Sequence, residues 1–103
     1  MSERDWHRVA GADDMAPGSV MMAKAGDKLV ALVRTDEAIC ALDNACPHMG
    51  GPLGQGMLED GRLVCPWHGR AYDPATGECD GYAESVRTFD VELRDDGIFV
   101  ATD

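Results

Sequence analysis

The chain has 103 residues, with 9 Lys and Arg against 19 Asp and Glu, for a formal net charge of -10. That length supports one domain able to bury about 60 to 70% of the surface its unfolded form exposes, and it leaves no room for a second catalytic domain. So acidic a surface disfavours nucleic acid and anionic membranes and suits protein partners with basic faces, with solubility as the equally simple reading. The N-terminal stretch Met1-Ser2-Glu3-Arg4-Asp5-Trp6 has no basic region followed by an apolar core. No apolar run approaches the roughly 20 residues needed to cross a bilayer, so the expected location is cytoplasmic. Downstream, short apolar runs alternate with Gly, Pro, Asp and Asn, the pattern of an all-β domain with poor helix signals. Strands are expected over residues 5–9, 19–25, 28–34, 37–42, 62–65, 86–93 and 98–101. Gly26-Asp27 and Asp95-Asp96-Gly97 supply turns, and residues 57–64 read as a hairpin that delivers Cys65.

Residues 44–73 differ in composition, carrying glycines 50, 51, 54, 56, 61 and 69, and read as a lobe inserted into the β scaffold. A phosphate-binding reading of Gly50-Gly51-Pro52-Leu53-Gly54-Gln55-Gly56 fails because no Gly-Lys-Ser/Thr follows. The lobe instead holds two near-duplicate loops, Cys46-Pro47-His48 and Cys65-Pro66-Trp67-His68, each offering one thiolate and one imidazole. Four such ligands make a candidate metal site, Cys46, His48, Cys65 and His68. Tetrahedral zinc satisfies the count, but structural zinc sites usually draw paired Cys from one knuckle and paired His from a helix. A mixed pair in each loop suits a two-iron cluster, with both thiolates on one iron and both imidazoles on the other.

Cys46-Pro-His48-Met-Gly-Gly, followed after residues 49–64 by Cys65-Pro-Trp-His68-Gly69 and then Tyr72-Asp73-Pro74-Ala75-Thr76-Gly77, resembles the Rieske [2Fe-2S] motif. The similarity extends over nearly the whole chain. It implies an all-β fold, a Rieske-like antiparallel β-sandwich or barrel base with an inserted cluster-binding lobe, as a single domain over residues 1–103. The implied cofactor is a Rieske-type [2Fe-2S] cluster, held on the inner iron by Cys46 and Cys65 and on the outer iron by His48 and His68. The implied activity is that of a soluble ferredoxin, an electron-transfer protein and not an enzyme, whose partners are a flavin reductase and an oxygenase component. Two alternatives remain at this point: a small subunit of a multicomponent reductase such as nitrite reductase, and a zinc-binding structural module.

Departures from the wider family bear on redox potential. Where high-potential members carry a disulfide, the chain has Gly51 and Trp67, and where a Ser donates to the cluster it has Arg70, while Tyr72 retains a phenol. Fewer donors to sulfur should lower the potential within the Rieske range of about −150 to +300 mV, with Tyr72 and the charge of Arg70 pushing the other way. Trp67, Met49, Pro52 and Leu53 are expected either to form an apolar rim beside the imidazoles or to pack the two loops together. Of the remaining cysteines, Cys40 reads as a small core side chain in a strand and Cys79 as a loop thiol. Neither is assigned to the cluster, and a disulfide between them is not expected.

Overall fold

Alternating apolar and polar residues build an antiparallel scaffold in the computed structural model, which describes residues 5–46, 50–67 and 69–102. The larger sheet contains β1 (Trp6–Ala10), β2 (Val20–Ala25), β3 (Lys28–Arg34), β4 (Ile39–Asp43), β8 (Thr88–Arg94) and β9 (Gly97–Ala101). Their order is β1-β9-β8-β4-β3-β2, and the edge strands β1 and β2 meet, so the sheet curls into a nearly closed barrel. A smaller sheet of β5 (Met57–Glu59), β6 (Arg62–Val64) and β7 (Ala71–Tyr72), in that order, stands on its flank. The all-β expectation therefore holds. Among the described residues the helical content is one 3-10 turn, Leu53–Gln55.

Strand β3 explains how the two parts join. Its residues Val30, Ala31, Leu32 and Val33 are all fully buried, a continuous apolar run of the kind found where both faces of a strand are covered. Because successive side chains point to opposite faces, Val30 and Leu32 enter the barrel core with Ala10, Met15, Phe89, Ile98 and Val100. Ala31 and Val33 enter a second core with Leu42, Leu53, Leu63, Tyr72, Val86 and three cysteines, Cys46, Cys65 and Cys79. The cysteine-bearing core thus rests directly on the outer face of the barrel.

The expected strands all form, with ends shifted by competing hydrogen bonds. β4 begins at Ile39, not residue 37, because the Thr35 hydroxyl accepts the N–H groups of Glu37 and Ala38 in a turn. β8 begins at Thr88, not residue 86, because Val86 donates its N–H to Gly77. The hairpin over residues 57–64 forms around Asp60 and Gly61, both at positive φ (49° and 78°), the conformation that Asp-Gly turns favour.

Candidate metal centre

Strand β4 runs out at Asp43, and Asn44 then fixes the start of the first cysteine loop. Its carbonyl accepts from Leu53 N at 2.7 Å, and its side-chain Oδ1 accepts from Gly54 N at 2.7 Å. The loop itself closes where Cys46 N donates to Gly51 O at 2.9 Å. The second loop, delivered by β6, closes in the same way, with Cys65 N donating to Arg70 O at 2.8 Å. The two closures span residues 46–51 and 65–70, an equal separation. In each, the residue before the acceptor is a glycine at positive φ, Gly50 at 76° and Gly69 at 70°, a region other residues enter only with strain. The near-duplication seen in the sequence is thus matched by the closing hydrogen bond and by the glycine before it in each loop.

These matched loops bring Cys46 and Cys65 together as buried thiols close enough to hydrogen-bond one another. The close approach depends on Gly51. A Cβ at that position would lie 3.0 Å from Cys65 Sγ and 3.0 Å from the Trp67 ring, so the missing side chain makes space for sulfur and indole. Both sulfurs have directed partners. Tyr72, completely buried, places its hydroxyl 3.0 Å from Cys46 Sγ, and the backbone N–H of Trp67 points at Cys65 Sγ. Burial pushes the Cys65 thiol up, the Trp67 N–H offsets part of this, and neighbouring Cys46 adds to the rise. Burial also raises the Tyr72 phenol far above its ordinary value, with further contributions from Cys46 and Cys79.

His48 and His68 lie outside the described residues, as do Pro47 and Met49. Among the described residues no group of three or more His, Cys, Asp or Glu is arranged to hold a metal ion, so the thiol pair is the visible half of the expected ligand set. Leu53 is fully buried and belongs to the core, whereas Trp67 is about half exposed, so Leu53 forms no part of a surface rim. Arg70 does not direct free charge at the sulfurs. Its guanidinium pairs with Glu84 at 2.6 Å and lies 3.7 Å above the Tyr82 ring. Cys79, which reads in the sequence as an ordinary loop thiol, is buried in the same core as Cys46 and Cys65. It reaches that position through a bridge with Tyr72, flanked by Cys79 N donating to Glu84 O and Asp80 N to Ala71 O. Cys40 is half-buried on β4 and packs against the same core, and neither it nor Cys79 forms a disulfide.

Paired buried thiols with hydrogen-bond partners, carried on matched loops, fit an iron–sulfur centre well, because donors directed at sulfur stabilise its negative charge once the thiols bind metal as thiolates. An all-β barrel that carries such a pair on its flank suits a domain that holds a metal cluster.

Comparison with known proteins narrows the class. The profile of the Rieske [2Fe-2S] domain family matches residues 5–92. Apoptosis-inducing factor 3 of Homo sapiens is 32% identical over 94 residues, which make up 89% of this chain and 16% of that protein, so the chain spans a small part of that relative's length. The ferredoxin component of the naphthalene 1,2-dioxygenase/salicylate 5-hydroxylase systems of Ralstonia sp is 30% identical over 92 residues, 87% of this chain and 88% of that one. Among solved structures, a complex of reduced oxygenase and oxidized ferredoxin in carbazole 1,9a-dioxygenase contains a chain with a TM-score of 0.85 and 27% identity, covering 98% of this chain and 96% of that one. The chain belongs to the Rieske [2Fe-2S] domain family, and its cofactor is a Rieske-type [2Fe-2S] cluster. No helix among the described residues is long and apolar enough to cross a membrane.

Proposed function

We propose that the chain acts as a ferredoxin that receives single electrons from a flavin reductase and passes them to an oxygenase component, in the cytoplasm. In this reading residues 44–73 form the cluster-binding lobe, Cys46 and Cys65 bind one iron through sulfur, and His48 and His68 bind the other through imidazole. The bound cluster supplies a centre that gains and loses one electron. The chain's own groups do the rest. Tyr72 and the Trp67 N–H donate to the two sulfurs, and Leu53, Leu63 and Val33 keep water from them. The observation that carries the reading is the pair of buried thiols presented by two loops closed in the same way, each thiol met by a donor. The carrier role rests further on the Ralstonia ferredoxin component, which matches over most of both chains. Cys40 and Cys79, neither in a disulfide, are in keeping with a reducing compartment.

The test is anaerobic purification followed by iron and acid-labile sulfide analysis and electron paramagnetic resonance. Equal iron and sulfide, a red-brown colour and a rhombic signal that appears only on reduction are expected. A colourless protein that retains zinc would overturn the assignment. Reconstitution with a flavin reductase and an aromatic-ring oxygenase should then restore turnover, whereas copurification in fixed ratio with a large reductase would make the chain a permanent subunit instead.

A further inference from the structure

Arg70 ends the second cysteine loop, and its backbone carbonyl closes that loop by accepting from Cys65 N at 2.8 Å. Its guanidinium is held away from water: the side chain is 14% exposed, lies 3.7 Å above the Tyr82 ring and meets Glu84 Oε1 at 2.6 Å. Glu84 is tied to the thiol core by its own backbone, whose carbonyl accepts from Cys79 N at 3.2 Å. Cys79 in turn shares that core with Cys46, Cys65 and Tyr72. The ion pair is thus joined through the backbone to Cys65 on one side and to Cys79 on the other. Partly buried charges are screened less than exposed ones, whose fields fade over about 10 Å at 0.1 M salt, so a net charge here acts on a centre bound through Cys65.

The two partners are held unequally. Glu84 is 38% exposed, and its other oxygen, Oε2, is buried with no hydrogen-bond partner among the described residues. The pairing with Arg70 is what offsets the cost of keeping that oxygen dry, so without Arg70 the carboxylate turns out to water. Arg70 has a second anchor, because the face of the Tyr82 ring attracts a guanidinium whether or not a carboxylate is present. Without Glu84 the cation therefore stays where it is. An uncompensated positive charge beside a centre that becomes more negative on gaining an electron favours the reduced state. Cys79 already registers both charges: burial pushes its thiol up most, and beyond that Arg70 pulls it down while Glu84 pushes it up.

We propose that Glu84 is a positioning residue for electron transfer that acts through Arg70: its carboxylate cancels the guanidinium charge and so holds the midpoint potential below the value that Arg70 alone would set. The proposal deepens the electron-carrier reading and rests on it, since it needs a cluster bound through Cys46 and Cys65.

Midpoint potentials of four cluster-loaded proteins test it: the parent, Glu84→Gln, Arg70→Ala and the double variant. Glu84→Gln keeps the shape of the side chain and an oxygen that accepts from the guanidinium while removing the charge. It should shift the reduction equilibrium several-fold toward the reduced state, and Glu84→Asp, which keeps the charge, should stay nearer the parent. In the Arg70→Ala background Glu84→Gln should add nothing. An unchanged or lower midpoint in Glu84→Gln, an equal rise in Glu84→Asp, or the same rise with and without Arg70 overturns the proposal; where Glu84→Gln loads no cluster, Glu84→Ala is read in the same way. Parent protein that loads no cluster overturns the carrier reading instead, so the two failures are distinguishable.

Discussion

Gly51 stands against Trp67 across the two cysteine loops, where a Cβ would sit 3.0 Å from the indole ring and 3.0 Å from Cys65 Sγ. In place of a covalent brace between the loops the chain has a ring resting on a bare backbone. Contacts of 3.0 Å leave no slack, so even one methyl group must displace the ring or the sulfur. Gly51→Ala should cost about 1–3 kcal/mol through overpacking. Urea denaturation of the apoprotein measures that cost. The loaded variant should show altered visible circular dichroism, whereas parent-like stability and spectra would show that the loops have room to spare.

With Cys46 bound to iron as proposed, the Tyr72 hydroxyl 3.0 Å from Cys46 Sγ would supply a donor that matters more when the centre carries the extra electron. Tyr72→Phe removes that donor and little volume. The midpoint potential should fall by an amount of the order of a tenfold change in the reduction equilibrium, about 60 mV for one electron. A loaded Tyr72→Phe protein with the parent potential would exclude the hydroxyl as a tuning group.

Arg70 makes the opposite case. The sequence places a cation where other Rieske proteins have a hydroxyl donor, which suggests that its charge supports the reduced centre. The structure engages that charge with Glu84 and the Tyr82 ring, and the thiol it stands near is Cys79. Arg70→Ala should therefore move the midpoint less than Tyr72→Phe does, while loosening the segment that carries Tyr82 and Glu84. Faster amide hydrogen exchange over residues 80–85 with a near-parental potential is the expected pair of results.

Asn44 is the buried polar residue that ties the first loop to the barrel, accepting from Gly54 N at 2.7 Å and donating to Met22 Sδ at 3.3 Å. Asn44→Ala would leave the Gly54 N–H without its partner in a dry setting, at a cost of about 1–3 kcal/mol. The loss should appear in urea denaturation and as a lower iron content after purification. Parental values for both would show that the Asn44 backbone alone holds the loop.

What the sequence made legible was whatever repeats or alternates. The period-2 runs on either side of Gly26-Asp27 and Asp95-Asp96 announced four strands, and the two cysteine loops announced the site by their likeness. What it hid was set by contacts between distant segments. β7 is two residues long and carries no period. The burial of Cys79 follows from the backbone bridge to Tyr72, and the diversion of Arg70 follows from Glu84, both brought in by the segment after Gly77. Composition marks that segment as polar and turn-rich, so its one buried thiol reads as a loop residue until the fold is known. The location of His48 and His68 relative to the thiols lies outside the described residues, and their role stays with the proposal above.

Alkaline pH should separate apoprotein from loaded protein. Burial raises Cys40, Cys65, Cys79 and Tyr72 above their ordinary values, so each holds its proton in the folded chain at a pH where the unfolded chain has released it. In that window the native state binds more protons than the unfolded state, and stability falls as pH rises. The window opens at the ordinary thiol value of about 8.5, and the stability these groups contribute is fully present below it. Apoprotein prepared by chelation should thus show a urea midpoint that is flat near neutrality and declines from pH 8.5 to pH 10. On the proposed reading, loading changes the balance for the ligand thiols: Cys46 and Cys65 would already have lost their protons to bind iron, and acid in place of alkali should release the metal. The loaded protein should keep only the share of the alkaline decline that belongs to Cys40, Cys79 and Tyr72. Apoprotein whose stability stays level up to pH 10 would show that these side chains are better solvated than their burial implies.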